Sequence, residues 1–265
     1  MIDFLCFPGG KQRIVTFSYD DGPEQDARLV ALFNKYGVKA TFHLNSHKYL
    51  DRTPEQLAAI RELYHGHEIA CHTVHHGYMP EMPTVSMVNE IMQDRVILER
   101  IAGYPVTGMS YPYGSLSDEV VNALRACGIT YSRTVNSTEF FAIPEDFLRW
   151  NPTCHHTRAT WRSEYYLNVL NTPNRQPLFY IWGHSYEFDT EERWAEMETL
   201  VASLAGKPEI WYATNGEIVA YRAAQRALVV SADETMIYNP TAMDVWVNKD
   251  RQPLCIPAGQ TVYTD

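Results

Sequence analysis

No stretch of this 265-residue chain approaches the ~18 consecutive apolar residues that a membrane-spanning helix requires, so no span is expected. The opening Met1-Ile2-Asp3-Phe4-Leu5-Cys6-Phe7 lacks both the basic flank and the long apolar core of a secretion signal. Basic residues are scarce: 22 Lys and Arg stand against 32 Asp and Glu, a formal charge of -10. Such a balance repels a phosphate backbone, and nucleic acid is excluded as a partner. Cysteine is sparse and unpatterned. Cys6, Cys71, Cys127, Cys154 and Cys255 are odd in number and contain no C-x-x-C pair, which argues against both a disulfide framework and a zinc ribbon. Free thiols suit a reducing compartment, so the expectation is a cytoplasmic protein for the chain as written, or a secreted or periplasmic one if a signal peptide has been removed ahead of Met1.

What is present is the composition of a globular enzyme-sized domain, with 45% hydrophobic residues. Short β-branched and aromatic runs alternate with longer helical patterns, the order of βα units around a parallel sheet or barrel. Seven strands are expected, at 13–19, 39–44, 67–71, 107–111, 129–133, 177–182 and 209–213. The clearest helix opens at Thr84 and stops at Gly103, a residue suited to the left-handed position after a helix, and Gly37 and Gly128 give similar stops. Thr214-Asn215-Gly216-Glu217 has capping-box spacing and opens a last helix that runs to about Arg226. Beyond it the helical period disappears. Residues 227–265 show β-type runs at 242–247 and 261–263 split by Asn239-Pro240 and Pro257-Ala258-Gly259, and are too few to bury a core of their own. The fold class is therefore α/β: a distorted (β/α) barrel of about seven parallel strands over residues 1–226, with a small carboxy-terminal β appendage packed on it at 227–265.

Chemistry-bearing residues follow the expected strands. Asp20 and Asp21, then Gly22-Pro23, come directly after the first, where a βα loop carries active-site groups in such barrels. Adjacent carboxylates point differently, so one can bind a metal while its neighbour reaches a water; an ordinary Asp-Gly turn would show the same residues. His72-Thr73-Val74-His75-His76 follows the third strand, with imidazoles at i and i+4 that a helical turn would place on one face, toward one divalent ion; His75 would then face outward. His184 ends the apolar run Leu178-Phe179-Tyr180-Ile181-Trp182-Gly183 at the same rim. It could donate a proton to a leaving group, although a lone histidine there is more often structural.

Thr16-Phe17-Ser18-Tyr19-Asp20-Asp21-Gly22-Pro23, the His72–His76 pentapeptide, Tyr111-Pro112-Tyr113-Gly114 and the His184 strand resemble, in order, the motifs of the polysaccharide deacetylase family, carbohydrate esterase family four, over about residues 10–226. The resemblance implies hydrolysis of N- or O-acetyl groups on a carbohydrate with one divalent ion, zinc foremost, with cobalt, nickel or manganese as alternatives. It implies Asp20 as general base, Asp21, His72 and His76 as metal ligands, His184 as general acid, and the Tyr113 backbone N–H in the oxyanion hole beside Pro112. The family's third motif carries an arginine two residues before its Pro-Tyr-Gly, where this chain has Ser110. Arg133, at the end of the next strand, is the expected replacement partner of Asp20, against the alternative of a surface arginine. The family's fourth motif is not recognisable; residues 150–156 occupy its region, and His155 is expected to contribute to the pocket. Two other readings keep the barrel: a hydrolase of non-peptide C–N bonds in small amides, and an inactive carbohydrate-binding protein. Seventeen Tyr and six Trp lean toward glycan stacking.

Overall fold

The computed structural model describes residues 1–169 and 176–264. After β1 (Ile2–Asp3), the chain forms β2 (Arg13–Asp21), α1 (Asp26–Tyr36), β3 (Ala40–Leu44), α2 (Pro54–Leu63), β4 (Glu68–Cys71), α3 (Thr84–Ala102) and β5 (Gly108–Ser110). It continues through α4 (Asp118–Ala126), β6 (Tyr131–Arg133), β7 (Cys154–His155), α5 (Ala159–Asn168), β8 (Leu178–His184), α6 (Glu191–Leu204), β9 (Ile210–Tyr212) and α7 (Asn215–Ala227). The tail holds β10 (Val229–Val230), β11 (Met236–Tyr238), β12 (Val245–Lys249), β13 (Gln252–Ile256) and β14 (Thr261–Tyr263).

The seven expected strands all form and pair in parallel, in the order β6-β5-β4-β3-β2-β8, with β9 also on β2. Helices cover the outside, giving a distorted (β/α) barrel. An eighth member, β7, was not anticipated, because two residues carry no periodicity. Its segment completes the ring: the Trp150 N–H donates to Ser132 O at 3.1 Å on one side, while Thr153 N–H donates to Tyr180 O at 2.9 Å on the other. Helix ends follow the expected chemistry. Gly103 and Gly37 cap α3 and α1 in the left-handed region, and Thr214 and Glu217 form a complete capping box on α7.

Alternation along β2 decides what faces where. Val15, Phe17 and Tyr19 join the main core under the helices, against Phe33 and Met197 among others. The intervening Thr16, Ser18 and Asp20 are buried with other polar partners: Thr16 Oγ1 donates to Asn215 Oδ1 at 3.0 Å, and Ser18 Oγ accepts from Arg133 Nε at 3.1 Å. The barrel interior is thus polar on the side that carries the aspartates.

Two three-stranded antiparallel sheets build the tail, β1-β12-β13 and β10-β11-β14. The first recruits the amino terminus. Ile237, Val245, Val247 and Ile256 form a separate core with Ala224 and Leu228 of the α7 end, and Ile2 and Phe4 pack on it. Gln225 Nε2 donates to both Cys6 O and Trp246 O, at 2.7 and 2.9 Å. This unit holds none of the motif residues, so Val247→Ala should cost about 2 kcal/mol and several degrees of thermal midpoint while turnover stays at the wild-type level. Lost turnover at an unchanged midpoint would instead make the tail part of the site.

Candidate active site

Asp20 ends the interior row of β2, with His43 of β3 and His184 of β8 as its parallel-register neighbours. Asp21, next in line, would point to the helix layer if the strand continued. It does not: Asp21 (φ 74°) and Gly22 (φ 60°) are consecutively left-handed and turn the chain back over the barrel mouth. A side chain at position 22 would meet Leu44 Cδ2 at 2.7 Å and the Tyr49 hydroxyl at 2.9 Å, so this Asp-Asp pair needs the glycine that follows it.

Asp21 Oδ1 lies 3.6 Å from His72 Nε2 and 3.8 Å from His76 Nε2, and one ligand atom of each residue lies within 4.8 Å of the others. The expected helical turn is absent, and this corrects the sequence argument. Residues 72–76 form an irregular loop in which Thr73 (φ 63°) and His76 (φ 56°) are both left-handed. Asn45 Nδ2 holds the loop by donating to His72 O at 2.7 Å and Thr73 O at 3.1 Å. The loop, rather than a 3.6-residue period, brings the imidazoles together. His75 faces away, its Nδ1 2.7 Å from Glu90 Oε1.

His72 is fully buried, and its Nδ1 lies 2.9 Å from Ser110 O, an atom that can only accept. The proton therefore sits on Nδ1 and the Nε2 lone pair points to Asp21, the arrangement of a metal-ligating histidine. Burial pushes its pKa below the ordinary range, against the pull of Asp20 and Asp21, which keeps it in the neutral, ligating form. The donor set of two imidazoles and a carboxylate fits a divalent ion of the zinc type with coordination positions left open.

Both oxygens of Asp20 are held. Ser110 Oγ donates to Oδ1 at 3.0 Å, and the Arg133 Nη2 donates to Oδ2 in a close ion pair. Arg133 is no surface residue. It is 0% exposed, spends Nε on Ser18 Oγ and Nη1 on Thr134 O, and lies over the Trp182 ring at 4.5 Å. Burial alone would raise the Asp20 carboxyl, but the Arg133 guanidinium, with His72, His43 and His184, holds it far below the usual carboxylate range.

His184 is bracketed by carboxylates. Its Nδ1 faces Glu187 Oε2 at 3.4 Å, and its backbone N–H donates to the same oxygen at 3.0 Å. Burial would lower the imidazole pKa, but Glu187, Asp20 and Asp21 more than offset this and raise it above the ordinary value. Tyr186 stacks on the ring at 5.0 Å. Tyr113 (φ 58°) sits in a short 3-10 turn begun by the buried Pro112, and its exposed ring packs edge-on against His76 at 4.5 Å, with Tyr78 at 6.4 Å. His155 lies against Trp182, ring centroids 4.8 Å apart, with Nε2 3.0 Å from Glu187 Oε2.

Sequence reasoning missed three supporting residues. Ser110 was read only as a lost arginine, yet it touches both Asp20 and His72. Glu187 had no motif to mark it. Asp94 was legible in principle: it interrupts the buried stripe Met87, Ile91, Leu98, Ile101 of α3, and a carboxylate on such a stripe needs a reason. Its oxygens accept from Ser46 N at 3.0 Å and His72 N at 2.9 Å, tying the His72–His76 loop to the helix layer. Asp94→Ala should weaken metal affinity roughly 10- to 100-fold and lower the thermal midpoint, measured by metal titration and melting of the same samples.

Residues 8–132 match the polysaccharide deacetylase family profile. Among curated proteins, the chain is 28% identical over 116 residues to peptidoglycan-N-acetylmuramic acid deacetylase PdaC of Bacillus subtilis, a match covering 43% of this chain and 24% of that protein. The chain thus spans about a quarter of that relative's length. Among solved structures, a putative polysaccharide deacetylase from Mycobacterium smegmatis superposes with a TM-score of 0.64 at 17% identity, covering 84% of this chain and 94% of that one. A family 4 acetyl xylan esterase from Clostridium thermocellum in complex with a cobalt ion gives 0.53 at 19% identity, covering 80% and 92%.

Proposed function

We infer that this chain, which belongs to the polysaccharide deacetylase family, removes N- or O-linked acetyl groups from a carbohydrate with the help of one divalent ion. The observation that carries this reading is the Asp20 carboxylate, clamped by Ser110 and Arg133 beside the Asp21, His72 and His76 cluster, with His184 as its strand neighbour. When bound by those three residues, the ion supplies Lewis-acid polarisation of the acyl carbonyl and acidifies water. Asp20, kept ionised and oriented, takes the proton from the attacking water. The Tyr113 backbone N–H would stabilise the developing oxyanion. His184, kept protonated by its carboxylate neighbours, gives the proton to the departing amine or alcohol.

The exposed rings of Tyr78, Tyr113 and Tyr186 around the mouth supply flat faces for sugar rings, which favours a glycan over a small cyclic amide. Hydrolysis of a panel of acetylated amino sugars, acetylated xylo-oligosaccharides and small cyclic amides by metal-reconstituted protein, followed as acetate release for the sugars and as ring opening for the cyclic amides, tests this. Release from the sugars alone is expected. Turnover confined to cyclic amides, or none while the ion is bound, would overturn it.

A further inference from the structure

Glu187, which raises the His184 pKa in the proposed reaction, also gathers two histidines that the reaction does not use. His155 Nε2 and His156 Nε2 approach the same Glu187 Oε2, at 3.0 and 3.5 Å, and one ligand atom of each of the three residues lies within 4.8 Å of the others. In a tetrahedral site with bonds of about 2.0–2.1 Å, neighbouring ligand atoms stand roughly 3.3 Å apart, which these spacings bracket.

The histidines are built into place. The His156 ring lies between Tyr19 (5.9 Å, nearly parallel) and Phe188 (4.6 Å). It fits only because residue 183 is glycine, since a Cβ there would stand 2.0 Å from His156 Nδ1. That Nδ1 is buried without a hydrogen-bond partner among the described residues, so the contact with Glu187 is what fixes the polar edge of the ring. Burial pushes His156 down to about 3 and keeps it neutral, the form that ligates. His155 Nδ1 accepts the Thr157 backbone N–H at 3.5 Å, so ligation through Nε2 requires the ring proton to move to Nδ1, where Thr157 Oγ1, 3.0 Å away, can accept it.

We propose that His155, His156 and Glu187 form a second transition-metal site, distinct from Asp21, His72 and His76, that takes an imidazole-preferring divalent ion such as zinc or cobalt. Two imidazoles and one carboxylate match that class rather than calcium or magnesium, which take all-oxygen sets. An ion there occupies the Glu187 oxygen that His184 Nδ1 faces, so filling the second site would oppose the rise in the His184 pKa that Glu187 otherwise causes. The proposal goes beyond the deacetylation reading and does not depend on it.

The test counts ions. Metal-stripped protein is dialysed against cobalt(II), bound cobalt per chain is measured by elemental analysis, and the visible absorption of the ion reports its coordination. Wild type is expected to hold two ions, His76→Ala one, His155→Ala one, and the double variant none. His155→Gln and a melting curve for each variant separate loss of a ligand from loss of the fold. A wild type that binds one ion, lost in His76→Ala and kept in His155→Ala, overturns the second site and leaves the first intact. One ion lost only in His155→Ala would sink the deacetylation reading instead and leave this one standing.

Discussion

Arg133→Met should lower kcat by roughly 10²- to 10⁴-fold, the range for an impaired general base, and should do so without removing any metal ligand. The guanidinium is fully buried against Asp20. Breaking such a pair from one side leaves an uncompensated carboxylate, at a cost of about 3–5 kcal/mol. Burial then acts on Asp20 with less opposition and drives its pKa up, so the acidic limb of the rate profile moves to higher pH. Stability gives an independent sign. In wild type the folded Asp20 pKa lies below its unfolded value of ~3.9, so its contribution is present above that pH and disappears as pH falls through the folded value. The deficit of Arg133→Met, measured by denaturant titration of metal-free protein, should therefore be largest near neutrality and shrink toward pH 3. Arg133→Lys keeps the charge but not the three-way fork to Ser18, Thr134 and Asp20, and should recover only part of either quantity. An unchanged kcat together with an unmoved acidic limb would mean that Ser110 alone orients the base.

His184→Gln should cost a comparable 10²- to 10⁴-fold, because glutamine preserves shape and hydrogen bonding but has no proton to give. The informative companion is Glu187→Gln. Glu187 leads the influences that raise the His184 pKa against burial, so its neutralisation should move the alkaline limb to lower pH while leaving activity on the acid side nearer wild type. The split between limbs separates this role from a structural one, since a loosened fold would lower activity across the profile. Rate–pH curves of the two variants and wild type, at one equivalent of metal per chain, decide it. If Glu187→Gln left the alkaline limb in place, Asp20 and Asp21 would have to suffice for keeping His184 protonated.

Much of this site was legible because its residues sit at strand ends. Short β-branched and aromatic runs located β2, β4 and β8, and the polar residues that terminate them, Asp20, His72 and His184, had to emerge at one rim once the strands were parallel. The helix stops at Gly37 and Gly103 and the capping box at Thr214 were local and were read correctly for that reason. The reason given for the histidine pair was wrong, although the pair converges: spacing i, i+4 suggested a helix, whereas left-handed residues and an asparagine just past β3 shape the loop.

What sequence by itself determined is the alternating βα order, the adjacent aspartates with their glycine, and the inventory of ligands, all set by interactions within a few residues. Tertiary structure alone decided the rest. Ser110 meets Asp20, Asp94 meets the His72 backbone, and Glu187 gathers His155 and His156, through contacts between segments far apart in the chain. These partners are chosen by desolvation: a charge or donor inside a barrel must be satisfied by whatever polar group the sheet's curvature brings within about 3 Å, and curvature is a property of all the strands together.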